Sequence, residues 1–264
     1  MAWYTGDSSY DTALAIGFAI ALFTAVGARF VQTPYGRFAD DSFGISLDPR
    51  LGWFLMELPA TLAFVYFFFQ GENAHTPFAL FVLFVWLVHY GNRGFIMPAL
   101  MRVPVGQKNS FSLALVVIGC IVTTLHGYLN ATWASTHAGH LGSAWFWDPR
   151  FIFGVALYYV AFFANLHADH IVRNLRTKEE VAQGIKKYRV PEGGLFRYVS
   201  NPSYLTELLF WAGFALFTWS LAGVYILAIS AANLVPRAVS SHAWYREQFP
   251  DYPKQRKILI PFVW

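Results

Sequence analysis

Charge is scarce in this chain and cysteine nearly absent. Charged residues make up 13% of the 264, against 56% hydrophobic ones. A soluble domain carries roughly 25% charged residues, so the chain reads as an integral membrane protein. Cys120 is the one cysteine and sits in an apolar run, which excludes a disulfide framework and a thiolate metal site. No G-x-G-x-x-G follows a strand-like run, so a Rossmann domain is excluded. No basic block points to nucleic acid, and the formal net charge is only +4. His167 and His170 stand three apart rather than in an H-x-x-x-H pair, and no metal is expected. Met1–Tyr10 holds neither Lys nor Arg ahead of the first apolar run, so that run is expected to be a spanning helix and not a cleaved signal peptide. No repeat, linker or low-complexity tract divides the chain, and a single domain over 1–264 is expected.

What is present is apolar sequence in long blocks. At about 20 residues per crossing, the pattern predicts an all-α polytopic membrane protein with seven transmembrane helices. They are expected at Asp11–Val31, Asp48–Phe69, Pro77–Leu100, Phe111–Trp133, Pro149–Val172, Pro202–Trp219 and Leu221–Trp244, the last two parted by a tight turn near Ser220. Of the 19 Lys and Arg, none lies in Met1–Tyr10, Gln70–Thr76, Ala134–Asp148 or that turn, and only Arg150 stands beside them. The rest, including Arg29, Arg37, Arg50, Lys108 and the group from Arg173 to Arg197, fall at the other ends. By the positive-inside rule the N-terminus is outside and the C-terminus cytosolic. The membrane would be the cytoplasmic one in a bacterium or the endoplasmic reticulum in a eukaryote.

A few polar residues interrupt these blocks. Asn165, Asp169 and Arg173 recur every fourth residue, and Arg176 joins their helix face. Amide, carboxylate and guanidinium together suit a ligand bearing hydroxyls and phosphates; the plainer alternative is an interfacial helix end. Glu57, in LMELPA, is a carboxylate in apolar surroundings and a functional candidate. Pro59 after it is expected to free a backbone carbonyl. Tyr90 lies in VHYGNRG, with Arg93 one turn on and Gly91 and Gly94 leaving room for close approach. At 1.5 Å per residue from the expected cytosolic ends, Glu57 is roughly 14 Å and Tyr90 roughly 15 Å deep, so the two can meet at one level. Glu207, Arg237 and Tyr245 belong to the same cytosolic half. His89 and His242 have acid–base chemistry but are more often structural hydrogen-bonding groups. The Gly193–Gly194 turn is narrow enough to approach a pyrophosphate.

YRVPEGGLFRYVS, with NLHADHIVRNLR before it and the tail FPDYPKQRKILIPFVW, carries a resemblance that extends to MELP around Glu57 and HYGNR around Tyr90. On these motifs the whole chain resembles the steroid 5α-reductases, or 3-oxo-5α-steroid 4-dehydrogenases. The resemblance implies a seven-helix enzyme that uses NADPH to saturate the Δ4 double bond of a 3-oxo steroid. It implies that Glu57 and Tyr90 are catalytic and bind the 3-keto oxygen. It assigns the cofactor to Arg93, Arg102, Asn165, Asp169, Arg176, Tyr188, Arg189, Ser203, Glu207, Arg237 and Tyr245. Residues 1–110 would serve mainly the substrate and 111–264 mainly NADPH. The steroid would enter from the bilayer into a monomer whose active site opens to the cytosol.

Two departures stand out. SNPSYLTE replaces the S-G-A-N-F-L-G-E of animal relatives, so Ser203 takes the place of an Asn that contacts the nicotinamide amide, and Ser241 and His242 replace part of a His run. For the reaction itself, Tyr90 as a neutral phenol and Glu57 as an uncharged carboxyl would both donate to the oxygen that gains negative charge. Alternatives are a reductase of another lipid enone, enoyl or polyprenol substrate, and an isoprenylcysteine-type S-adenosylmethionine-dependent methyltransferase, which shares the NPSYLTE pattern.

Overall fold

Five of the long helices start on a capping side chain, and four carry proline at the first turn, where a missing N–H costs nothing. Asp7 caps α1 (Ser8–Gly27). Asp48 and Pro49 open α2 (Pro49–Phe68). Thr76 and Pro77 open α3 (Pro77–Leu100), and α4 (Leu113–His137) follows. Asp148 and Pro149 open α5 (Pro149–Arg173). After the short α6 (Lys178–Ala182), Pro202 opens α7 (Pro202–Thr218) and Ser220 caps α8 (Leu221–Gln248). The computed structural model describes residues 4–30, 36–38, 44–106 and 111–264. Val31, the expected end of the first span, and Lys108 lie outside the described residues, as does the side chain of Arg37. Strand is confined, among the described residues, to an antiparallel pair, Ser46–Leu47 with Phe111–Ser112, and one isolated bridge between Val199 and Lys257.

The all-α membrane reading stands. Six helices, α1 to α5 and α8, are long and apolar enough to cross a membrane. The seventh expected span exists as α7, but it has 17 residues and falls short of that length. It ends because Trp219 turns left-handed at φ 49°, and Ser220 at once accepts from Gly223 N at 2.9 Å to begin α8. Other ends shift both ways. α1 starts at Ser8, three residues before Asp11, and stops at Gly27; α4 starts at Leu113 and runs past Trp133 in a wide turn to His137, and α8 continues past Trp244.

Glycine sets the closest crossings. On α2 and α4, a Cβ at Gly127 would lie 2.8 Å from Phe64 N. On α5 and α7, Gly154 and Gly213 face one another, and a Cβ at Gly213 would lie 2.6 Å from Gly154 O. Pro59 does what the sequence suggests. It cannot donate to Leu55 O, four residues back, and that carbonyl accepts from Cys120 Sγ of α4 at 3.3 Å. Thr123 adds a bond to Met56 O at 2.8 Å. Three tryptophans donate across helices: Trp86 to Ala60 O, Trp133 to Thr218 O and Trp145 to Phe217 O.

Gly213→Leu is expected to push α5 and α7 apart and cost about 1–3 kcal/mol, the usual range for overpacking. Gly142→Ala, where a Cβ meets nothing within 4 Å, is the control. Thermal unfolding in detergent should show a lower midpoint for the first and none for the second.

Candidate active site

Between α2, α3, α4, α5, α7 and α8 lies a cavity of about 600 Å³. Trp53, Met56, Val122, Trp211 and Ile229 contribute apolar and aromatic lining, and Arg102, Arg173, Arg176, Lys187 and Arg189 contribute cationic lining. Twelve of the thirteen expected site residues line it: Glu57, Tyr90, Arg93, Arg102, Asn165, Asp169, Arg176, Tyr188, Arg189, Ser203, Glu207 and Tyr245. Arg237 is the exception. It is buried, donates from Nε to Tyr204 OH at 3.1 Å and lies over the Phe38 ring; Tyr204 itself lines the cavity.

The centre is built on α3. After Tyr90 the helix widens over Gly91–Ile96, a departure from regular winding that concentrates at functional sites. Gly94 sits there with its Cβ position 3.3 Å from Glu57 Cβ, so α3 and α2 touch where the two acids' partner emerges. Arg93 donates from Nε to Glu57 Oε1 at 3.1 Å and from Nη1 to Glu207 Oε2 at 3.2 Å. Its guanidinium also lies 4.7 Å from the Trp53 ring centroid, a cation–π position. The resemblance assigns Arg93 to the cofactor and Glu57 to the substrate oxygen. The structure pairs the two side chains with each other and adds Glu207. One guanidinium thereby ties α2, α3 and α7 together. Tyr90 OH meets His126 Nδ1 at 3.4 Å.

The polar rim comes from α5 and α7. Asn165 Nδ2 donates to Ser203 O at 2.8 Å and Thr206 Oγ1 at 3.0 Å. Ser203 Oγ donates to Asp169 Oδ1 at 2.7 Å. The serine of SNPSYLTE is thus a partner of the helix-five carboxylate. Beyond it, Arg102 Nη1 bonds Arg176 O, and Arg176 lies 5.5 Å over the Tyr188 ring. Arg189 forms a two-point pair with Glu180.

The Gly193–Gly194 turn falls elsewhere, while His89 and His242 are the hydrogen-bonded groups expected of them. The Gly193–Gly194 turn does not reach the cavity wall; Gly194, at φ 47°, packs against His167, with a Cβ position only 2.7 Å from its ring. His242 bonds Ser200 Oγ at 2.6 Å, which Tyr252 OH also reaches at 2.7 Å, so it fastens the tail. His89 lines the cavity but is bonded to Tyr158 OH. Sequence reasoning misses Trp53, Tyr204 and His126. The signal for His126 is its spacing of four from Asn130 in an otherwise apolar run.

Comparison with known proteins identifies relatives over most of the chain. A family described as 3-oxo-5-alpha-steroid 4-dehydrogenase matches residues 109–264. The chain is 39% identical over 247 residues to 3-oxo-5-alpha-steroid 4-dehydrogenase 1 of Rattus norvegicus, covering 92% of this chain and 91% of that one. It is 37% identical over 243 residues to a steroid 5-alpha-reductase of Solanum lycopersicum, covering 91% of each. The Homo sapiens 3-oxo-5-alpha-steroid 4-dehydrogenase 1 is 38% identical over 245 residues, 90% of each.

The Glu180–Arg189 pair has a pH signature. The hydrogen bonds from Arg189 hold the Glu180 carboxyl down from its ordinary 4.5 to about 2. A lowered carboxylate stabilises the fold above its ordinary value and ceases to as pH falls through the lowered one. The connector over 174–190 should therefore loosen between pH 4.5 and 2. Pepsin should cut it faster at the acid end of that window, and Arg189→Ala should make the cutting independent of pH there.

Proposed function

The chain belongs to the 3-oxo-5-alpha-steroid 4-dehydrogenase family, and from that premise we propose that it reduces the Δ4 C=C bond of 3-oxo-Δ4 steroids to 5α-dihydrosteroids with NADPH. One observation carries the reading: an apolar cavity with an acid and a phenol, Glu57 and Tyr90, in its wall and a polar, cationic rim at one end. The donor set of that rim fits a dinucleotide phosphate. Asn165, Asp169 and Ser203 suit ribose and amide groups, and Arg102, Arg176 and Arg189 suit phosphates. Tyr188, Glu207, Arg237 and Tyr245 complete the holding set, and Arg93 acts on it through Glu207. When bound, the cofactor supplies the hydride.

The chain's own residues handle the charge. Reduction at the β-carbon of an enone sends negative charge to the carbonyl oxygen, so donors fixed at that oxygen lower the barrier. Tyr90 donates its phenolic proton. Glu57, Arg93 and Glu207 form a trio that is neutral when one of its two carboxyls carries a proton. That proton on Glu57 is the second donor. Arg93 fixes the position of the acid, and Trp53 fixes Arg93. Ser203, bonded to Asp169, supports this use of SNPSYLTE over an S-adenosylmethionine-dependent one.

In the bilayer, α7 makes the seventh crossing, with the N-terminus outside and the C-terminus in the cytosol. The NADPH rim then faces the cytosol, and the steroid enters laterally from the lipid. The enzyme works as a single-domain monomer, with 1–110 mainly on the substrate side and 111–264 mainly on the cofactor side.

Glu57→Gln and Tyr90→Phe should each keep the NADPH-induced thermal shift yet lose about 10²–10³ in turnover of testosterone or progesterone, the usual loss for one such donor. Product analysis over a panel of steroid and non-steroid enones, with S-adenosylmethionine as the comparison ligand in the thermal shift, tests the assignment. Near-normal steroid turnover by either variant would remove that residue from the reaction.

A further inference from the structure

Seven buried side-chain polar atoms among the described residues lack a hydrogen-bond partner, and five of them lie in one region: Tyr10 OH, His126 Nε2, Asn130 Oδ1, His137 Nε2 and Tyr225 OH. His126, Asn130 and His137 share one face of α4 and span about 16 Å of its axis. Tyr225 of α8 stands beside His126, ring centroids 5.3 Å apart. Tyr10 of α1 stands against His137 at 4.7 Å. The stripe has two ends. At one, His126 Nδ1 meets Tyr90 OH in the cavity wall. At the other, His137 Nε2 lies 3.9 Å from Asp7 Oδ2, whose side chain is 41% exposed. Buried polar groups without protein partners take water. Five such atoms stand between a solvent-facing aspartate and the phenol, and water bonded to them would form a file through an otherwise apolar bundle.

We propose that His126 returns the proton to Tyr90 after each turnover, drawing it along this file from the Asp7 end. The proposal rests on the reading of Tyr90 as the donor to the steroid. Saturating the double bond adds one hydride and one proton. The hydride is the cofactor's. The proton leaves Tyr90 OH for the enolate, which leaves a phenolate. His126 Nδ1–H then gives its proton to the phenolate oxygen while Nε2 takes one from water. The imidazole stays neutral with its proton now on Nε2; turning the side chain presents that N–H to Tyr90 and leaves the bare Nδ1 to take the next proton from the file. The file water is made good by solvent at Asp7, so one solvent proton is consumed per steroid reduced. The groups that face His126 suit this role. Tyr90 and His89 approach it from α3 and Tyr225 from α8, Glu57 and Arg93 share the cavity wall, and Asp7, Asp11 and Tyr10 lie at the far end. Hydride and proton thus reach the substrate from different sides of the protein.

The full-length protein in detergent, with NADPH and progesterone, provides the test. His126→Gln keeps a hydrogen-bond partner for Tyr90 but cannot shuttle a proton. It should lower kcat at least about tenfold, the low end for positioned proton transfer being larger still. KM for steroid and the NADPH-induced thermal shift should not move, and the solvent deuterium isotope effect on kcat should rise. Tyr225→Phe, which removes one hydroxyl from the file, should lower kcat and raise the isotope effect in the same sense. Without any turnover, nitrogen-15 NMR of ring-labelled histidine should show the His126 Nδ1 resonance moving in Tyr90→Phe. Wild-type kcat and isotope effect in His126→Gln, or in Tyr225→Phe, would overturn the proposal, as would a His126 resonance indifferent to Tyr90→Phe. Full turnover by Tyr90→Phe would instead overturn the reading of Tyr90 itself.

Discussion

A guanidinium in an apolar bundle has to be paired, and the site depends on how Arg93 is paired. Removing a charge from water costs several kcal/mol unless partners replace the solvent. Arg93 finds them on two other helices, Glu57 of α2 and Glu207 of α7, with the Trp53 ring against its face. Each partner would itself be costly alone. The bridge therefore fixes the lateral placement of three helices at one level and leaves the acid aimed into the cavity. An isolated Glu57 would be free to turn away or to bond a backbone carbonyl, and a catalytic acid with several resting places is a poor one.

The rest of the bundle makes that level rigid. Gly127 on one side and the Gly154–Gly213 contact on the other bring α2 to α4 and α5 to α7 within backbone distance. In a membrane, such close packing supplies much of the association that hydrophobicity supplies in water. Residues of both tight pairs line the cavity. Pro59 fits the same scheme. The carbonyl it frees is covered by Cys120, so that group of α2, beside Glu57, is satisfied by α4 and not left to lipid.

Much of this is legible in the sequence because bilayers impose a one-dimensional rule. The positions of the helices follow from runs of about 20 apolar residues, and their starts from Asp or Thr followed by Pro. Glu57, Asn165 and Asp169 stand out because polar residues inside such runs are few. What cannot be read is pairing across helices. That Arg93 braces two acids depends on how α2, α3 and α7 cross, and no spacing along the chain encodes it. The wide turn after Tyr90, the short reach of α7 and the seating of Gly194 on His167 are likewise tertiary outcomes. For His126 the spacing from Asn130 marks only a shared helix face, and its nearness to Tyr90 is again a tertiary contact.

The departures in SNPSYLTE show how local chemistry adjusts inside a fixed frame. Ser203 turns to Asp169. Asn165 then holds the backbone carbonyl of that same serine. The two contacts lock α5 to the first turn of α7, next to Glu207, the second acid of the Arg93 bridge. Two sets of side-chain bonds therefore meet on α7 within its first two turns: Ser203 and Thr206 bind α5, and Glu207 binds Arg93, which also holds Glu57. The placement of α7 against α5 and its placement against α2 and α3 are thus set by neighbouring residues of one helix.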